Sequence, residues 1–244
     1  MTAAVPGTLV GSGRNADVYD IGDGRVLRRY RDGRDPAQVA AEAAVMGHAR
    51  ASGVPVPEVF DVSGADIVMS RAAGPTMLDV LGRRPWRAAS YARLLARLHG
   101  LVHQVPAAGL PGPVRPFPWE MPAVSDPDVL LHRDLHPANV ILTAAGPVII
   151  DWEGATCGPA IADVAMTWVI IGFSDVPPTP LVGAVVGGVQ QYFTRAFVRA
   201  AGPLDDEWRL AAIRQRLADP NLLPAEVARL GKLVPAAPAP GSVH

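Results

Sequence analysis

The chain has 244 residues, 49% of them hydrophobic, a formal net charge of −1 and one cysteine, Cys157. That length supports one large domain or two lobes sharing a core without a disulfide scaffold. A lone cysteine excludes an internal bridge, and the Cys/His spacing of a structural zinc site is missing.

The predicted elements begin with strand character at Thr8–Val10 and Val18–Ile21, on either side of Gly11-Ser12-Gly13-Arg14-Asn15-Ala16. A tight turn at Gly22-Asp23-Gly24 leads into a strand over Arg25–Tyr30, so a hairpin is expected. Asp35-Pro36 reads as N-cap and first helical residue. Val39, Ala43 and Met46 then recur at helical spacing as far as Gly53, on a helix that carries Glu42. Two more strands, 56–62 and 65–70, turn at Ser63-Gly64. Five strands and one helix make a small N-terminal lobe over 1–70, and residues 69–74 form a hinge to a larger, mainly helical lobe over 71–234.

In that second lobe the clearest helix is Trp86–Val105, with Tyr91, Leu94, Leu95, Leu98, Leu101 and Val102 as one apolar stripe. Residues 106–127 are rich in proline and glycine and read as a surface excursion. Short strands at 140–142 and 148–150 flank a turn, helices follow at 161–173, 181–201, 205–218 and 224–232, and the Pro/Ala tail 235–244 is expected to be disordered.

The chemistry lies in His132-Arg133-Asp134-Leu135-His136-Pro137-Ala138-Asn139 and in the strand that ends at Asp151. One carboxylate to orient an acceptor hydroxyl, with an amide and a second carboxylate as hard oxygen ligands for Mg²⁺, is the set that phosphoryl transfer needs. Each residue alone also fits a plain turn or a loop cap; their joint spacing favours function. The string Gly11-x-Gly13-x-x-Ala16-x-Val18 matches the phosphate-covering loop of kinases, with alanine for the third glycine. A dinucleotide site would need a helix after the glycines, and here a strand follows.

In these blocks, together with Glu42, Gly53-Val54-Pro55-Val56-Pro57, Leu98-His99 and Asp163, the chain resembles the aminoglycoside phosphotransferase and choline kinase superfamily, from Gly11 to about Val169. The resemblance implies an α+β, bilobal protein-kinase-like fold. It implies that Asp134 is the catalytic base and that Asn139 and Asp151 bind Mg²⁺. It further implies that Gly11, Ser12, Gly13 and Val18 cover ATP or GTP, that Met69 to Arg71 border the base, and that Glu42 orients the cation of the third strand. That cation is Arg28, where the family usually has lysine. Arginine can grip phosphate and pair with Glu42, although a solvated strand charge, or Arg29 in its place, are the alternatives.

His136 stands where protein kinases have lysine, and eleven residues separate Asp151 from Asp163, too few for a phosphorylatable activation segment. A small hydroxylated acceptor and a site assembled without such a switch are therefore expected. The rival reading is a pseudokinase-like nucleotide-binding module without transfer, favoured only by Arg28. Near-zero net charge, no secretion-signal pattern before Gly13 and no apolar run of bilayer length lead to the expectation of a cytoplasmic monomer or weak dimer, with neither nucleic acid nor membrane as partner.

Among the remaining candidates, His99 reads as a packed structural histidine, His132 as orienting the catalytic loop, Asp163 as hydrogen-bonding its backbone and Arg133 as a salt-bridge former. Glu153 either faces the acceptor or supports the site from behind. Asp205-Asp206-Glu207 fits a helix N-terminus better than a polyamine cradle, so the acceptor is expected to carry at most one or two positive charges.

Overall fold

Strands β1 (Thr8–Ser12), β2 (Ala16–Gly22), β3 (Arg25–Tyr30), β4 (Val59–Ser63) and β5 (Asp66–Ser70) pair antiparallel in the order β1-β2-β3-β5-β4. The computed structural model describes residues 7–31, 33–111, 122, 128–174, 180–220 and 222–234. Helix α1 (Pro36–Ala51) is started by Asp35, whose carboxylate accepts from the Ala37 N–H at 2.9 Å, and it packs against this sheet. The predicted strand at 56–62 begins only at Val59, because Pro55 and Pro57 have no N–H for a ladder.

Period-two alternation decides which side of β3 each side chain faces. Val26, Arg28 and Tyr30 are buried together toward α1, whereas Arg29 points the other way and pairs with Asp66, its register partner on β5, at 2.6 Å. On α1 the buried positions include Val39, Ala43, Met46 and Ala49, and Glu42 sits among them. A carboxylate at a core position requires a partner, and the strand alternation supplies Arg28.

The second lobe holds α2 (Met77–Arg83), α3 (Ala88–Val102), α4 (Ala160–Phe173), α5 (Pro180–Ala201), α6 (Asp206–Leu217) and α7 (Pro224–Gly231). The predicted helix from Trp86 is split: a 3₁₀ turn at Pro85–Arg87 precedes α3, and Trp86 is exposed. The seven residues of α2, closed by a Thr76–Asp79 capping box, are too short to show a periodic stripe. Two small sheets complete the lobe: β6 (Val129–Leu131) with β9 (Thr156–Gly158), and β7 (Val140–Thr143) with β8 (Gly146–Ile149).

The end of the hinge is fastened to β7 of the second lobe. A side chain at Gly74 would come within 2.2 Å of the Leu142 carbonyl, and Leu142 N–H donates to Pro75 at 2.9 Å. The result is the bilobal α+β arrangement that the sequence implies. Most of the predicted excursion at 106–127 and all of the tail at 235–244 lie outside the described residues. Among the described residues no helix is long and apolar enough to cross a membrane.

Candidate active site

Arg28 links the two lobes. Its Nη1 reaches Glu42 Oε1 at 2.8 Å and its Nη2 reaches Asp151 Oδ1 at 2.8 Å. Burial works against the guanidinium charge, but Glu42 and Asp151 more than offset it, so its pKa is raised. Burial pushes the Glu42 carboxyl up, against the opposite pull of Arg28 and of a hydrogen bond from Tyr30. Arg29, bound to Asp66 on the opposite face, lies outside this cluster.

Glu153, two residues beyond Asp151, binds back across the cleft. Its carboxylate accepts from Asn15 Nδ2 at 3.0 and 3.1 Å and from Arg34 Nη1 at 2.6 Å, with Arg28 Nη2 at 3.9 Å. Asn15 belongs to the glycine loop, whose tip is closed by Gly13 N–H donating to Ala16 at 2.9 Å. A Cβ on Gly11 or Gly13 would meet its nearest neighbour at 3.8 or 3.5 Å, ordinary contact distances. The protein's own packing therefore does not require glycine there. Ser12 Oγ donates to Asp17 at 2.6 Å, and Val18 is half-buried on β2.

The loop from His132 to Asn139 is fixed from several sides. Asp134 is half-exposed, and its carboxylate accepts from Asn139 Nδ2 at 3.0 Å, with His136 Nε2 at 3.5 Å. Burial alone would raise the Asp134 carboxyl, but His136, His132 and Asn139 together hold it below the usual range. Asn139 also donates to the Asp134 carbonyl at 2.8 Å, which leaves its own side-chain carbonyl oxygen as the remaining ligand atom. The Ile150 N–H donates to the Asn139 carbonyl at 3.0 Å, so Asn139 and Asp151 flank one backbone contact.

His132 is buried and its pKa is lowered by that burial. Its Nδ1 accepts from Asp134 N–H at 3.3 Å while Nε2 reaches the Ile150 carbonyl at 3.0 Å, tying the loop to the strand before Asp151. Asp163, fully buried in the first turn of α4, accepts the backbone N–H groups of His132 at 3.1 Å and Arg133 at 2.6 Å. Burial opposes its charge, yet His103 and His99 outweigh it and hold the carboxyl well below the ordinary value. Those two backbone bonds help to hold Arg133 at φ 69°, a costly conformation for a residue with a side chain. The Arg133 guanidinium reaches the Gly154 carbonyl at 3.4 Å.

The residues expected at the base-binding edge face differently. The Met69 side chain is buried in the core, so its backbone is what remains for a ligand. Arg71 is exposed and pairs with Asp20. Asp205 caps α6 by accepting from Trp208 N–H at 3.0 Å. Sequence reasoning missed the bonds from Glu153 to Asn15 and Arg34, and it missed His103 beside Asp163. The four-residue step from His99 to His103 was the available signal for the latter.

Comparisons with known proteins bear on the family and the fold. A family model described as "Phosphotransferase enzyme family" matches residues 7–122 and 115–202. Among solved structures, the chain is similar to the aminoglycoside phosphotransferase APH(4)-Ia at 17% identity, covering 92% of this chain and 90% of that one, with a TM-score of 0.60. It is similar to a choline/ethanolamine kinase family protein from Mesorhizobium loti at 17% identity, 92% and 86% coverage and a TM-score of 0.57. It is also similar to amicoumacin kinase hAmiN, solved with AMP-PNP, Ca²⁺ and Ami, at 14% identity, 93% and 86% coverage and a TM-score of 0.54. These likenesses establish a shared fold. No curated protein matches by sequence.

Proposed function

The chain belongs to the phosphotransferase enzyme family, and we propose that it is a Mg²⁺-dependent kinase moving the γ-phosphate of ATP, or of GTP, onto a hydroxyl of a small molecule. The observation that carries this reading is the convergence of the Asp134–Asn139 pair, Asp151 and the Arg28–Glu42 pair on the cleft between the lobes. In this reading residues 1–70 form the nucleotide lobe, 69–74 the hinge and 71–234 the lobe that binds the acceptor, in a cytoplasmic monomer or weak dimer.

The Asn139 side-chain oxygen and the Asp151 carboxylate are hard oxygen donors of the kind Mg²⁺ takes, so the residues present fit that ion. When bound, the ion supplies positive charge beside the phosphates. The amicoumacin kinase neighbour, solved with AMP-PNP and Ca²⁺, supports a nucleotide and a divalent cation as ligands of this fold. Arg28 is placed to bind a phosphate as well as Glu42, exchanging its contact with Asp151 for the nucleotide. Gly11 to Gly13 and Val18 cover the nucleotide, and the backbone from Met69 to Arg71 borders its base.

Asp134, ionised at neutral pH, orients the acceptor hydroxyl and accepts its proton as the acceptor oxygen bonds to Pγ and the bond from Pγ to the leaving oxygen breaks. Asn139 and His136 hold that carboxylate in one orientation. Glu153 bonds to Asn15 and Arg34, which favours a supporting role over direct contact with the acceptor.

Asp134→Asn should lower turnover at least about a hundredfold while nucleotide affinity measured by calorimetry stays within a few-fold. Asp151→Asn should weaken Mg²⁺ and nucleotide together. Equal turnover in Asp134→Asn and wild type with a working acceptor would remove Asp134 from the chemistry.

A further inference from the structure

Behind the catalytic loop, and apart from the residues that face the nucleotide, His99 and His103 at the end of α3 meet Asp163 of α4. Among the described residues this is the one group of three such side chains whose ligand atoms all lie within 4.8 Å of one another. Asp163 Oδ2 is 3.1 Å from His103 Nε2 and 3.5 Å from His99 Nδ1. His99 is 1% exposed, and its Nδ1 is buried without a hydrogen bond among the described residues.

The other ring nitrogen is already engaged. Thr167 Oγ1 donates to the Leu135 carbonyl at 2.9 Å, and His99 Nε2 lies 3.3 Å from that carbonyl and 3.1 Å from that hydroxyl. With the Thr167 proton on the carbonyl and a hydrogen on Nε2, Nδ1 presents a lone pair toward Asp163; with the Thr167 proton on Nε2, Nδ1–H faces Asp163 Oδ2 at 3.5 Å instead. A divalent cation beside Asp163 Oδ2, which also accepts the His132 amide, would select the first of these and engage the otherwise unpartnered Nδ1.

We propose that this centre binds one divalent cation of the zinc type through His99 Nδ1, His103 Nε2 and Asp163 Oδ2, as a structural support for the catalytic loop. Bonds of about 2.0–2.2 Å in a tetrahedral shell put neighbouring donors about 3.3–3.6 Å apart; the 3.5 Å separation lies in that range and the 3.1 Å one just below it. Imidazole and carboxylate suit zinc, and histidines four apart present their rings on one helix face. The outer contacts are those of a metal-bound histidine: the second nitrogen of His99 is held by a backbone carbonyl. The His103 side chain, 12% exposed, gives access for the ion and for a water as fourth ligand. The cluster contains no cysteine, so the Cys/His spacing sought in the sequence could not reveal it. Leu135 and the His132 and Arg133 amides connect it directly to the loop that carries Asp134.

The test uses the full chain, stripped by a chelator and held in excess Mg²⁺, titrated with Zn²⁺ by calorimetry and with Co²⁺ as an absorbing probe of tetrahedral coordination. One Zn²⁺ per chain with a raised melting temperature is expected. His103→Ala, checked for folding by circular dichroism, should lose more than about tenfold in affinity, whereas Asp151→Asn should keep the site. No Zn²⁺ binding by the wild type, or equal binding by His103→Ala, overturns the proposal.

Discussion

Arg28→Ala removes the cation from a pair in which both partners are almost wholly inside: Arg28 is 9% exposed and Glu42 5%. Breaking a buried pair from one side costs about 3–5 kcal/mol, because the remaining charge is stranded. Here the Tyr30 hydroxyl still donates to Glu42, so the lower end, about 3 kcal/mol, is expected at neutral pH. The deficit should depend on pH. Burial already raises the Glu42 carboxyl, and losing Arg28 removes the largest opposing influence, so its folded pKa rises further above the unfolded one. A carboxyl shifted upward on folding binds more protons in the folded state, so stability falls as pH rises between the two pKa values. The deficit of Arg28→Ala is therefore full above the folded pKa and shrinks as pH falls toward the unfolded carboxyl range, about 4.3. Urea denaturation at several pH values measures it, and Arg28→Met combined with Glu42→Gln should recover most of the loss without recovering nucleotide affinity. A deficit below about 1 kcal/mol at neutral pH, or one independent of pH, would refute the reasoning.

Two further outcomes follow from the site. Glu153→Ala breaks a charge-assisted bond to Arg34 worth about 1.5–3 kcal/mol and frees Asn15; amide exchange over residues 11–17 should accelerate and nucleotide affinity should drop severalfold, both readable without an acceptor. Asp205→Ala should cost about 1 kcal/mol in a thermal melt by removing the α6 cap, with kinetics on any acceptor unchanged; loss of aminoglycoside turnover would instead make the acidic cluster part of the acceptor site.

Much of this was legible before folding because short-range rules carry it. The strand over Arg25–Tyr30 and the helical position of Glu42 were legible, while the choice of Arg28 over Arg29 came with the observed pairs Arg28–Glu42 and Arg29–Asp66; the block from His132 to Asp151 announces its chemistry by composition. The strands β6 and β9 were not legible: three residues each show no alternation, and their pairing is made by the chain returning after Asp151. Bonds from Glu153 to Asn15 and Arg34 close across 138 and 119 positions, where no local pattern reaches. The histidine pair on α3 was visible, but Asp163 as the common partner of His99 and His103 was supplied only by the packing of α4.

Transfer itself is the most direct test. Phosphorus NMR of ATP and Mg²⁺ with the wild-type protein, run against a panel of amino alcohols, neutral polyols and aminoglycosides, should show a new phosphate-ester signal with at least one acceptor of low charge, lost on Mg²⁺ removal and in Asp134→Asn. Nucleotide binding with no ester formed from any member of the panel would contradict the kinase reading and favour a nucleotide-binding module that has lost transfer.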